Sequence, residues 1–276
     1  MRSALSFLLL LVGVVLVPVA TAGRWAHDGL VTADGFVATV APLATDLVVS
    51  GEVEDRLVSA TLGRLEAATG VGGEQVEPVV RLAVQRAVAD PAFARVWRTS
   101  TRDVHSQLID VLTGPSPAAP DVGLRLAPLS GSVRRQLVSA GVPLAERLPT
   151  VQATLPLLPA AELAQAGGAF ALLRDRVPVL PFVTLLLVGL GLLVAPRRAS
   201  ALGFACLAVL IEIGVLACAV LGARLVSPDA VPGSLPTPVV HAVFDTLVAG
   251  LWRDLAVVAV GALLLLVGAL VTGRTT

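Results

Sequence analysis

The chain has 276 residues, of which 55% are hydrophobic and 14% charged, with a mean hydropathy of +0.86. Soluble domains carry about 25% charged residues, so this balance excludes an ordinary soluble globule and places the chain in the membrane class. A formal net charge of zero supplies no electrostatic footprint for nucleic acid.

The chain opens with Arg2 and then an apolar run from Ala4 to Ala22. That run is long enough to cross a hydrocarbon core of about 30 Å as a helix. It also ends in Ala20–Thr21–Ala22 behind a helix-breaking Pro18, the small-residue pattern of a cleavable signal peptide. Residues 1–23 therefore read as a first transmembrane helix or as a signal peptide. Both place the following residue outside.

Residues 24–178 form a polar insert large enough for a core of its own. Thr32 or Asp34 starts a short helix through Phe36, Val37, Val40 and Leu43. In Gly51–Ala68, the residues Val53, Leu57, Ala60, Thr61, Leu65 and Ala68 recur at helical spacing. Asp46 is placed to cap that helix, and Gly70, Gly72 and Gly73 to end it. A third helix is predicted over 74–89, with Val76, Val79, Val80, Ala83, Val84 and Ala87 inward. Asp90–Pro91 reads as a cap followed by a first-turn proline. The helix it starts, 91–112, turns Phe93, Val96, Trp97, Val104, Leu108, Val111 and Leu112 to the core. Arg95, Arg98, Arg102 and Asp110 fall on its wet side.

Beyond Gly114–Pro115 the pattern changes. Residues 121–128 alternate as a strand with one buried face, and 150–157 read as a second strand. Between them lies a short helix over 133–140, closed by Gly141. A last helix over 160–176 leads to the membrane, with a bend expected at Pro178 and Pro181.

Two apolar runs follow, Val179–Ala195 without a charge and Ala201–Leu221 with one, Glu212. The short basic loop from Pro196 to Ser200 leaves room only for an antiparallel transmembrane hairpin over residues 179–221. Residues 222–254 are a second outer loop, its first half broken by Pro228, Pro232, Pro236 and Pro238, with an interfacial helix over 241–252. Residues 255–276 are the fourth span and a tail. Trp25 and Trp252 read as the aromatic belt of spans one and four.

Charge orients the spans. The amino terminus, the hairpin loop and the tail hold Arg2, Arg197, Arg198 and Arg274 and no acid. The insert holds 14 arginines against 16 acids. Short arginine-only segments mark the cytoplasm, which puts the amino terminus inside and residues 24–178 outside.

Glu212 is the sharpest candidate functional residue. It lies near the middle of its span, where an acid costs at least about 2.5–3.5 kcal/mol. None of the other apolar runs supplies a cation at that depth. One answer is a protonated acid bonded to a carbonyl or hydroxyl of a neighbouring helix. The others are docking against a partner protein and a wet cavity that handles protons or ions. Gly13, Gly189 and Gly191 fall at a similar depth, where glycines let helices approach closely. The line Phe93–x3–Trp97–x7–His105 marks Trp97 and His105 as the second candidates, weighed against plain core packing. His27 with Asp28 and His241 with Asp245 would suit a divalent metal only if they converged.

No catalytic motif is present: no G-x-S-x-G, H-E-x-x-H, C-x-x-C or dinucleotide fingerprint. The absence of lysine removes a P-loop, a Schiff-base lysine and a Ser–Lys dyad, and the absence of asparagine removes an N-glycosylation acceptor. Cys206 and Cys218 lie about 18 Å apart on one helix and cannot bridge each other. No catalytic, cofactor-binding or metal residue is therefore assigned, and no cofactor is expected. The fold expected is mainly α: four transmembrane helices (4–22, 179–195, 201–221 and 255–272) plus an extracytoplasmic, mostly helical domain with a small two-strand element.

The first span, Trp25, Phe36–Val37–x6–Leu43, Phe93–x3–Trp97–x7–His105–x2–Leu108 and a proline-preceded hairpin with an arginine loop follow one another. That succession resembles uncharacterised multi-pass membrane proteins of high-GC Gram-positive bacteria, over most of the chain. The resemblance implies the four-span layout in a bacterial plasma membrane and carries no established activity, cofactor or catalytic residue. The function expected is a non-enzymatic envelope binding, scaffolding or accessory subunit, its partners being the lipid bilayer and another membrane or envelope protein. The alternative is a small transporter or channel-like component using Glu212.

Overall fold

A computed structural model of the chain describes residues 2–69, 76–114, 122–125, 127–139, 154–158, 167–230 and 235–273. The predicted helix ends at Gly70, Gly72, Gly73 and Gly141 lie outside the described residues. So do the starts of the helices expected over 74–89 and 160–176. Four described helices are long and apolar enough to cross a membrane: Ser3–Val31, Gly167–Val194, Arg198–Val226 and Thr237–Val271. The fold is mainly α, and the four helices fit a multi-pass membrane protein. The chain divides into two compact units.

The apolar unit comprises Met1–Thr32, Gly168–Pro228 and Leu247–Thr276. Its first helix, α1 (Arg2–Ala26), runs through Pro18 and ends in a π-helical turn, His27–Val31. Pro18 therefore does not break the run, contrary to its reading in the sequence. α1 packs antiparallel on a later helix, Leu180–Val194, whose register is set by small residues. A Cβ on Gly13 would stand 2.8 Å from Val188 Cγ2 and 3.1 Å from the Val188 backbone nitrogen. A Cβ on Gly191 would stand 2.8 Å from Leu10 Cγ and 3.1 Å from the Leu10 nitrogen. The buried Ser6 hydroxyl donates to the Gly191 carbonyl at 2.7 Å. Without a hydrophobic drive between helices in lipid, such close backbone packing and one hydroxyl bond are what hold a pair together. Gly189, expected at the same contact, has open space around it.

The helical unit comprises Ala33–Gly167 and Asp229–Thr246. α2 (Ala33–Val40) passes into a 3-10 turn, Ala41–Thr45, and α3 (Leu47–Thr69) follows at a bend of 79°. Asp46 Oδ1 accepts from the Val48 and Val49 N–H groups at 2.9 and 3.1 Å, the N-cap role predicted for it. α4 (Glu77–Ala89) and α5 (Ala92–Thr113) are joined at Asp90, whose carboxylate accepts from the Ala92 N–H at 2.7 Å. α6 spans Ala127–Ser139, six residues earlier in its start than expected. Val122–Arg125 and Thr154–Leu158 lie antiparallel as a two-stranded pair, with a register shift between Val122 and Gly123.

The core of this unit follows the helical periodicity. Val53, Leu57 and Leu65 of α3, Val80, Ala83, Val84 and Ala87 of α4, and Phe93, Trp97, Val104 and Val111 of α5 are all buried. Val133 and Leu137 of α6 complete it. Arg95, Arg98, Arg102 and Asp110 are exposed, as the α5 pattern requires. Arg81 ties α4 to α3, donating to Asp55 at 2.8 Å and to Glu77 at 3.0 Å.

The remaining helices correct the sequence reading. α7 (Gly167–Asp175) hands over to α8 (Leu180–Val194) through the 3-10 turn Val177–Val179, with Pro178 in the turn and Pro181 in the first turn of α8. α9 runs over Arg198–Ala230, past the expected end at Leu221. α10 is one helix over Thr237–Gly273, so residues 241–252 continue into the last span instead of forming a separate interfacial helix. Pro238 sits in its first turn, where a missing N–H leaves no bond unmade. Val239 of α10 is buried in the core of the helical unit, with Ala242 and Val243 packed beside it.

Candidate functional site

Glu212 lies on α9. Residues one turn away on either side, Ala208, Val209 and Leu216, pack against neighbouring helices, whereas Ile211 and Val215 are 59% and 65% exposed. Glu212 is therefore carried on the packed side of α9, at its edge. Its Oε2 is buried and makes no hydrogen bond among the described residues. Among the described residues of the apolar unit, the hydroxyl of Thr184 on α8 is likewise buried without a partner. Buried polar atoms ordinarily find a partner, so each of these two is a departure from that rule in an apolar setting.

Two clusters of aliphatic side chains close the bundle. Leu10 and Val14 of α1 pack with Ala205 of α9, and Val188 and Leu192 of α8 cover them. Further along, Ile213 of α9 packs with Leu251 and Leu255 of α10 against Ala22 and Trp25. Trp25 donates its indole N–H to the Leu247 carbonyl at 3.1 Å, and its ring lies across Gly250, 3.1 Å from where a Cβ would stand. It thus locks α1 to α10, a role the sequence did not signal because the partner is 222 residues away. Trp252 is 36% exposed.

Trp97 and His105 are both buried on α5, at 6% exposure each. The Trp97 ring stacks at a tilt on Phe93, centroids 5.9 Å apart, and His105 on Phe36 at 5.3 Å. The Trp97 indole N–H donates to the Val40 carbonyl at 3.2 Å. Val40 is where α2 passes into the 3-10 turn, so the tryptophan bond falls on that junction. The arrangement holds α2 to α5.

His27 Nδ1 stands 3.3 Å from Asp28 Oδ1, and Arg24 Nε 3.4 Å from Asp28 Oδ2, all near the end of the first apolar helix. Among the described residues no three His, Cys, Asp or Glu side chains gather as a metal site. On the helical unit, Arg134, Arg135, Val138 and Ser139 of α6 line an open concavity of about 440 Å³. Arg135 there bonds the Ser132 hydroxyl at 3.0 Å. Glu54 of α3 has its carboxyl pushed above the ordinary range by partial burial and by neighbouring Asp55, against the opposing pull of Arg81.

No protein-family model, curated protein or solved structure matches this chain.

Proposed function

We propose that this chain is a plasma-membrane protein of a bacterial envelope whose helical unit lies outside the cell and works by binding. Its role is a non-enzymatic scaffolding or accessory subunit, with its amino terminus in the cytoplasm. The observation that carries this reading is the helical unit itself, a core of its own built on helices from two separate stretches of chain. Trp97 and His105, the residues of that unit with most chemical promise, are spent on packing, which leaves its outer surface as the working part. The orientation rests on Arg197 and Arg198, both exposed where α8 turns into α9.

Affinity purification of the full chain from membranes after cross-linking tests this. A stoichiometric partner cross-linked through residues 33–139 supports it. A monomeric chain that turns over a small molecule defeats it.

A second reading, a small transporter or channel-like component, is favoured by the orphaned Glu212 Oε2. Glu212→Gln keeps size and neutral hydrogen bonding but removes the ionisable proton. Loss of function with unchanged folding and assembly selects this reading, and a silent substitution rejects it.

A further inference from the structure

The bend between α2 and α3 presents an apolar corner that the core does not use. Its inner side is committed: Val37, Leu43, Ala44 and Val49 are buried in the helical unit. Its outer side is bare. Leu47 is 87% exposed and Val48 44%, and Pro42 beside them is exposed too. From Gly35 to Gly51 the chain carries one charge, Asp46, and that carboxylate is occupied as the N-cap of α3. Exposed apolar side chains gathered together, as Pro42, Leu47 and Val48 are here, mark a contact surface where scattered single ones do not.

We infer that this corner inserts shallowly into the lipid bilayer. Three observations select lipid over protein. The two arms, Ala33–Thr45 and Leu47–Ala67, together meet the length and composition expected of a bent membrane segment. The exposed side chains of the corner, Pro42, Thr45, Leu47 and Val48, include none of the aromatic or arginine anchors that centre protein interfaces. It also follows closely on a membrane helix, since α2 begins two residues after the apolar helix Ser3–Val31 ends. Eight α-helical residues and five 3-10 residues then reach at most about 22 Å from the end of that helix, so connectivity keeps the corner within reach of the lipid surface at high effective concentration.

The insertion is shallow because α3 goes on to Glu52, Glu54, Asp55 and Arg56, which a hydrocarbon core would not accept. The pair is therefore not a fifth span. Its corner is a lipid-facing foot, and this holds whichever side of the membrane the helical unit occupies.

The test uses the full chain in phosphatidylcholine vesicles, with Cys206→Ala and Cys218→Ala as background. An environment-sensitive fluorophore is placed at Leu47→Cys, at Val48→Cys and, as a control on the same helix, at the exposed Ser59→Cys. Lipids with brominated acyl chains are expected to quench the first two by about twofold or more and the control little. Iodide in the water should do the reverse. Equal, water-like behaviour at all three sites overturns the inference. Shielding from iodide without quenching by lipid also overturns it, and assigns the corner to a protein contact instead. Because both labelled positions are exposed, neither substitution disturbs the core.

Discussion

Gly191 and Gly189 sit two residues apart on one apolar helix, yet a methyl group has opposite consequences at each. Gly191→Ala places a carbon 2.8 Å from Leu10 Cγ and 3.1 Å from the Leu10 backbone nitrogen, and a backbone cannot rotate away as a side chain can. Overpacking of this kind costs about 1–3 kcal/mol. Gly189→Ala meets nothing within 4 Å, so its effect should stay within about 0.5 kcal/mol. The midpoints of detergent-induced unfolding of the two variants check this difference directly. Glu54 offers a test with a pH signature. Its carboxyl is raised in the folded state, so its contribution favours folding at low pH and is lost as pH rises through the folded value. Glu54→Gln is therefore expected to raise Tm at neutral pH, with the gain shrinking as pH falls through the carboxylate range. A constant gain across that range would mean that burial of the charge is not the cause.

The longest helices exceed what a bilayer needs. α9 has 33 residues and α10 has 37, or about 50 and 55 Å of helix against a hydrocarbon core of about 30 Å. Length alone therefore does not say where the bilayer begins on either helix. Flanking charge has to decide it, and the pair Arg197 and Arg198 at the α8–α9 turn is the strongest mark. Arg197→Gln with Arg198→Gln should lower the fraction of molecules with the helical unit outside. Cysteine accessibility at Ser59→Cys in intact cells, against lysed cells, measures that fraction. No change would mean that orientation is set by the first helix and not by the hairpin. Trp25 acts at the same scale by bonding the Leu247 carbonyl, which ties the first apolar helix to the last.

At the scale of the molecule, the two units are not consecutive stretches of chain. The helical unit takes most of its core from residues 33–139 and the rest from the first turns of α10. Val239 is 5% exposed within that core. Val239→Ala should destabilise the helical unit by about 2 kcal/mol, the low end for deleting buried methyl groups. Limited proteolysis within residues 33–139 should then accelerate. If cleavage there is unchanged, the start of α10 is only draped on the unit and does not belong to its core.

Four long apolar helices were legible in the sequence because hydropathy is a local property, summed over about 20 residues without reference to the rest of the chain. The inward stripes of α3, α4 and α5 and the caps at Asp46 and Asp90 were legible for the same reason. Their partners lie within one helical turn or on one face. Contacts between distant segments were not. Gly13 and Gly191 touch a neighbour while Gly189 does not, and periodicity alone does not rank them. The Trp97 bond to Val40 spans 57 residues and the Trp25 bond to Leu247 spans 222, so no local pattern announces either. The four prolines between residues 228 and 238 suggested a broken loop; Pro232 lies outside the described residues, and Pro238 costs nothing in the first turn of a continuous α10. Amino-acid order by itself determined which segments are helical and which are greasy, since both follow from interactions within a turn. Which helices touch, and which buried side chains are left for chemistry, was decided only when distant surfaces were packed together and their polar atoms were paired or stranded.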